Sequence, residues 1–257
     1  MSEHVRIERD GEVLRITLAR PDRRNAITVA MYRALAEAIE GAADDEELRL
    51  IVLCGEGQDF TAGNDLGDFL AELPRDSTDI PVWRLLRALA QNQVPIVAAV
   101  HGNAVGIGTT MLFHCDLVVA EDGTRFSMPF VDLGLVPEAA SSLLLPRLAG
   151  RRRAARYLLL GEPFDPSEAQ EFGLVSHIAP AGELQRTTDS IVQNLLAKPA
   201  QALRLTQRLL RSSEVDGVLD RMATENAHFS ERLASDEVRD AIQAFFASRS
   251  ARPQTDG

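Results

Sequence analysis

The sequence predicts an α/β body followed by a run of helices. Three observations predict it. Short apolar runs closed by glycine or turn residues recur as far as Ile178, helical stretches fill the gaps between them, and beyond Ile178 no convincing strand remains. Strands separated by helical segments indicate an α/β arrangement with crossover connections.

Each element has its own signal. Val13–Leu18 alternates, with Leu14, Ile16 and Leu18 on one face, and reads as a strand after an Asp10-Gly11 turn. Arg20-Pro21-Asp22 breaks it. Thr28 is placed to cap a helix running to about Glu40, with Met31, Leu35, Ala38 and Ile39 as its apolar face. Leu48–Leu53, Val94–Val100 and Asp116–Ala120 read as buried strands, and Thr124–Ser127 follows as a short strand after an Asp122-Gly123 turn. Helices are expected at Trp83–Ala90, Ile107–His114, Ser141–Leu148 and Arg152–Leu160, before a last strand-like run at Leu174–Ile178. Then come Leu184–Leu196, Ala200–Leu210, Val218–Leu233 and Val238–Ser248, all helical, with Pro199 and Gly217 as punctuation. Leu70–Val82, with two prolines and several charges, is expected to be a mobile loop, and Arg249–Gly257 a loose tail.

Composition narrows the function. A chain of 257 residues, 45% of them hydrophobic, supports one sizeable core or a core plus an appendage. A net charge of -11 argues against broad nucleic-acid binding, which needs a basic face. Lys198 is the only lysine, and its polar junction beside Pro199 argues against Schiff-base chemistry. Cys54 and Cys115 have apolar neighbours and read as buried core thiols of a reducing compartment. No spacing resembles a zinc site. The N-terminus has no apolar signal region and no run is long enough to cross a membrane, so a cytoplasmic protein is expected.

Three segments have the makings of a site. Gln58–Leu66 follows a buried strand, and its small residues allow close backbone approach and free amides. His101–Thr110 also follows a strand and leads into a helix, whose first N–H groups are unpaired. It lacks the ending of a phosphate-binding loop and the glycine spacing of a dinucleotide fingerprint. Phe126–Glu138 is mostly apolar and then presents one carboxylate, Glu138, between Pro137 and Ala139-Ala140. A carboxylate in apolar company has a raised pKa, as the base for a carbon acid needs. Taken singly, each segment also fits a plain structural role: a tight turn, a closely packed helix, an exposed glutamate at a helix start.

Together and in this order, these segments resemble the enoyl-CoA hydratase/isomerase (crotonase) family. The resemblance runs from Leu18–Pro21 and Asn25-Ala26, through Phe60–Leu66 and His101–Gly108, to Cys115–Leu117, Phe126–Pro137 and Ala169–Val175. It implies a crotonase-like spiral of β-β-α units over 1–195 and a C-terminal helical region over 196–257 that forms trimers, often paired into hexamers. It implies an oxyanion hole for an acyl-CoA thioester, made by the backbone N–H groups of Asn64 and Ile107. Arg24, Ala26, Ala62, Gly63, Asp65, Leu66 and Gly106 are implied along the coenzyme A and substrate, with Arg23 or Arg24 toward its phosphates. No cofactor is implied, because coenzyme A enters with the substrate.

The chain departs from the hydratase pattern. The two glutamates of typical hydratases in the family correspond to Thr110 and Phe130 here. Phenylalanine cannot transfer a proton, and threonine is no base near neutral pH without one of its own. Glu138, four residues past Gly134, stands where some isomerases of the family carry their catalytic acid. The resemblance therefore favours β,γ-to-α,β enoyl-CoA isomerisation by a single glutamate. A hydratase using Glu138 alone, another reaction through a bound enolate, and a non-catalytic acyl-CoA binding subunit are the alternatives. Asp65 reads as a turn-stabilising residue, Asp132 as buried structure, and His101, His114 and His177 as structural.

Overall fold

The computed structural model describes residues 2–68, 80–213 and 215–250. Strands β1 (Val5–Asp10) and β2 (Val13–Leu18) form an antiparallel hairpin whose turn needs Gly11 at φ 56. Helix α1 (Val29–Ala43) starts where Thr28 Oγ1 accepts the Met31 N–H at 3.2 Å, the expected cap. Then come β3 (Leu50–Gly55), α2 (Pro81–Gln91), β4 (Ile96–Val100), β5 (Asn103–Val105) and α3 (Ile107–Thr110). The last of these tightens into a 3-10 turn at Met111–His114. The chain continues through β6 (Leu117–Glu121), β7 (Arg125–Ser127), α4 (Ser141–Ala149), α5 (Arg151–Leu159), α6 (Pro166–Glu171) and β8 (His177–Ala179). Helices α7 (Leu184–Leu196), α8 (Ala200–Ser212), α9 (Val215–Leu233) and α10 (Asp236–Ser250) complete it.

The main sheet has the order β1-β2-β3-β4-β6-β8, parallel beyond the first hairpin, and β5 pairs with β7 in a second small parallel sheet. Period-two alternation assigns the faces. Ile51, Leu53, Ile96, Ala98 and Val118 point into the main core, while Leu50 and Val52 meet Val192, Leu195 and Leu203, and Val97 and Val119 meet Leu184 and Ile191. A sheet buried on both faces needs near-continuous apolar strands, which explains the unbroken runs in the sequence. Helix α9 packs on α2, where Phe229 meets Trp83 edge-on at 5.5 Å.

Several expectations need correction. β1 is a strand that the sequence hardly signals, since Val5 alone of its residues is buried. Helix α6 was not anticipated, although Asp165 caps it through the Glu168 N–H at 2.8 Å and Pro166 opens it. Pro81 and Val82 begin α2 instead of ending a loop. The rest of the expected loop Leu70–Val82, up to residue 79, lies outside the described residues. Helix α10 takes in Arg249 and Ser250, and the remainder of the expected tail lies outside them too. Asp132 is exposed, because Val131–Leu133 is a surface 3-10 turn and not a strand. Cys54 and Cys115 are half-buried and free.

Candidate active site

The site is built where two glycine-containing loops touch. Thr61 forms a parallel bridge with Ala104 of β5: its N–H donates to Asn103 O at 3.0 Å, and its carbonyl accepts from Val105 N at 3.1 Å. This ties the loop after β3 to the loop before α3. The fit is close. A methyl group on Gly63 (φ 86) would stand 2.8 Å from Val105 O, and one on Gly108 would stand 2.4 Å from Thr61 Cγ2.

The same weave orients Asn64. Ile27 N donates to Gly63 O at 2.8 Å and Asp65 N donates to Ile27 O at 2.9 Å, the two bonds of a parallel bridge centred on Asn64. In that pattern the central residue's own N–H points away from its partner strand, so the Asn64 N–H faces away from Ile27. Ile107 is the first residue of α3, after Gly106 at φ 55 and ψ -117. Gly106 itself is anchored by its N–H to Ser127 O at 2.8 Å. A first-turn N–H has no intrahelical acceptor. With only four residues before the 3-10 turn, α3 contributes a weak dipole, so the amide itself is the main electrostatic element.

The loop implied to meet coenzyme A is held by Asn25, fully buried at φ 54. Its Nδ2 donates to Glu56 O and Asp59 O, both at 2.8 Å, and its Oδ1 accepts from Arg20 N at 2.8 Å. Arg24, also left-handed at φ 52, accepts the Ala62 N–H on its carbonyl at 2.9 Å while its side chain is 68% exposed. The Arg24, Ala26 and Ala62–Leu66 segments are thus neighbours. Asp65 is engaged by the scaffold: Arg20 Nη1 donates to it at 2.7 Å and to Ala26 O at 3.0 Å. Burial alone would raise the Asp65 carboxyl, but this pairing and the Asp68 amide hold it below the usual range. That fits the turn-stabilising role read from the sequence.

Glu138 is fully buried, and neither carboxyl oxygen has a hydrogen-bond partner among the described residues. Burial, with Glu225 behind it, pushes its carboxyl up to about 8. Its carbonyl accepts from Ser141 Oγ at 2.6 Å and Ser141 N at 3.0 Å. The next two residues, Ala139 (φ 61) and Ala140 (φ 56), are both left-handed. Non-glycine residues there cost about 1 kcal/mol or more each, so this turn is held by its surroundings. His114 supplies one hold through Nε2 to Ala139 O at 2.9 Å. Burial lowers the His114 ring to about 4, which keeps it neutral and able to donate. The Ile107–His114 run therefore carries an amide at one end and a support for the Glu138 turn at the other.

Tyr32 joins the two halves. Its hydroxyl donates to Asn64 Oδ1, and burial followed by the Glu138 charge pushes it well above the ordinary phenol range. Its i,i+3 and i,i+4 neighbours on α1 are core residues, so sequence alone offered no reason to separate Tyr32 from them. Glu225, on α9 and far along the chain, gave no local signal either. Thr110 and Phe130 are both buried, and Thr110 Oγ1 has no partner among the described residues.

The sequence model of the family described as enoyl-CoA hydratase/isomerase matches residues 8–253. The chain belongs to the enoyl-CoA hydratase/isomerase family. It is 32% identical to 1,2-epoxyphenylacetyl-CoA isomerase of Escherichia coli K12, covering 100% of both chains. It is also 32% identical to 2,3-dehydroadipyl-CoA hydratase of the same organism, covering 97% of each. A crystal structure of an enoyl-CoA hydratase/isomerase from Pseudoalteromonas atlantica T6c superposes with a TM-score of 0.90 at 37% identity, over 99% of this chain and 100% of that one. The crotonase fold expected from the sequence is therefore the fold of this family member, with its C-terminal helices.

Proposed function

We propose that this family member isomerises β,γ-enoyl-CoA thioesters to their α,β isomers, with Glu138 as the only proton carrier. The observation that carries the reading is the Glu138 carboxyl: fully buried, unpartnered among the described residues, and raised to about 8. Such a group holds a proton well enough to return it, yet is ionised often enough to take one near neutral pH. The Glu138 carboxylate removes a proton from the α-carbon. The charge then spreads through the dienolate onto the thioester oxygen, where the Asn64 and Ile107 N–H groups would stabilise it. Each such donor is worth ~3 kcal/mol of barrier. The protonated Glu138 returns the same proton to the γ-carbon and regains its starting state. Atoms and charge balance without water or a resident cofactor.

Thr110 and Phe130 support isomerisation over hydration, since they stand where the resemblance implies the two hydratase glutamates. The family includes proteins named for both reactions, so the local chemistry has to decide. Tyr32 fits as a prop for the Asn64 loop, and the exposed Arg24 guanidinium as a contact for the phosphates of coenzyme A in an acidic protein. Incubation with a β,γ-enoyl-CoA, followed by absorbance of the conjugated thioester, tests the reading. Wild type should generate conjugation, and Glu138→Gln should fold while losing roughly 100-fold or more of turnover. Full activity in that variant would remove Glu138 from the mechanism.

A further inference from the structure

Helix α4 begins directly after the strained turn that follows Glu138, and its N-cap residue, Ala140, has no side chain with which to cap it. The cap comes instead from a residue 85 positions away. Glu225 of α9 accepts the Ala140 N–H on Oε2 at 2.6 Å and the Ser142 N–H on Oε1 at 2.9 Å. Glu225 is itself 5% exposed. One carboxylate therefore satisfies two donors at a helix start, where negative charge is favoured. In doing so it clamps the two left-handed alanines from one side, while His114 holds the Ala139 carbonyl from the other.

We propose that Glu225 is the positioning residue of Glu138: it fixes the Ala139–Ala140 turn that aims the base, and it sets a second carboxylate behind it. The inference rests on the reading of Glu138 as the proton carrier. It also gives the C-terminal helices a part in the chemistry, because α9 delivers the clamp. Three other groups bear on this pair of carboxyls. Tyr32 of α1 faces Glu138, and His114 holds the turn between them. Burial raises the Glu225 carboxyl above its ordinary range, while the hydrogen bonds from Ser142 and Ala140 and, last, Arg221 on α9 itself draw it down. Glu225 in its charged form opposes ionisation of Glu138, after burial the second cause of that group's high position.

Two variants separate positioning from mere stability. Glu225→Gln keeps the shape and one acceptor but removes the charge. Its kcat should fall, and the limb of the kcat profile that rises with pH as Glu138 ionises should move to lower pH. Glu225→Ala leaves both amides without their acceptor and the turn without its clamp. It should lose roughly 100-fold in kcat with KM nearly unchanged, the scale expected when a reacting group is misaimed. Adding Ala139→Gly and Ala140→Gly to Glu225→Ala should recover part of that loss, because glycine holds φ > 0 without support. A Glu225→Gln enzyme with wild-type kcat and an unmoved limb, beside an inactive Glu138→Gln, would overturn the role of Glu225 and leave the base in place. Wild-type turnover in Glu138→Gln would instead overturn the base. Should Glu225→Ala fail to fold, the limb of Glu225→Gln decides.

Discussion

A carboxyl that is fully buried, with both oxygens unpartnered among the described residues, is more stable protonated than charged. For Glu138 this has a consequence for stability as well as catalysis. In the unfolded chain the group titrates near 4.5, and in the folded protein near 8. Between those values unfolding releases a proton, so the stability linked to Glu138 is complete below about 4.5 and is lost as pH rises through about 8. The Gln variant has no such loss. Its melting temperature should gain on wild type as pH rises, by an amount corresponding to a few kcal/mol above pH ~8. Melting curves at pH ~5 and ~9 check this, and a gap that stays constant would contradict the buried titration. The sequence offered Glu138 through the family resemblance, four residues past Gly134; read alone it fitted an exposed glutamate at a helix start, and its burial shows only in the fold. The sequence was silent on Tyr32 and Glu225, whose roles depend on which helix face meets which loop. His114 was legible as structural, though not as a support for the Glu138 turn.

At the scale of elements, the loops after β3 and before α3 owe their contact to residues without side chains. Gly63 sits at φ 86 with Val105 O 2.8 Å from where a Cβ would be. Gly63→Ala should push the two loops apart by tenths of an ångström and displace the Asn64 N–H. We expect a roughly tenfold to hundredfold fall in kcat/KM, larger than the loss of thermal stability would suggest. Steady-state kinetics beside a melting curve compares the two, and an unchanged kcat/KM would remove this loop from the reaction. The buried strands were legible from their apolar runs, and α1 from its Thr28 cap. β1 was not, since only Val5 of its six residues is buried and its existence depends on pairing with β2. The three-residue β5 also escaped, because a strand that short carries no periodicity and is defined by its partner β7.

For the whole molecule, the sequence divides a spiral core from C-terminal helices, and those helices meet the core on several surfaces. Helices α7 and α8 cover the second face of the main sheet, while α9 reaches the Glu138 turn. Helix α8 also presents Leu209 and Leu210, 74% and 72% exposed, with Leu205 one turn earlier. Apolar side chains grouped in this way favour burial against another surface, and we propose a second copy of the chain as that surface, in a trimer or a pair of trimers. Leu209→Glu combined with Leu210→Glu should lower the mass measured by light scattering in solution, and an unchanged mass would show that this patch holds no second copy. Whether one carboxyl moves one proton with no water consumed is decided by supplying an α,β-enoyl-CoA and following product mass. Slow equilibration with the β,γ isomer at constant mass, dependent on Glu138, is the expected result. Gain of one water at a rate comparable to isomerisation would contradict it, and would mean that hydration proceeds here with no carboxylate at Thr110 or Phe130.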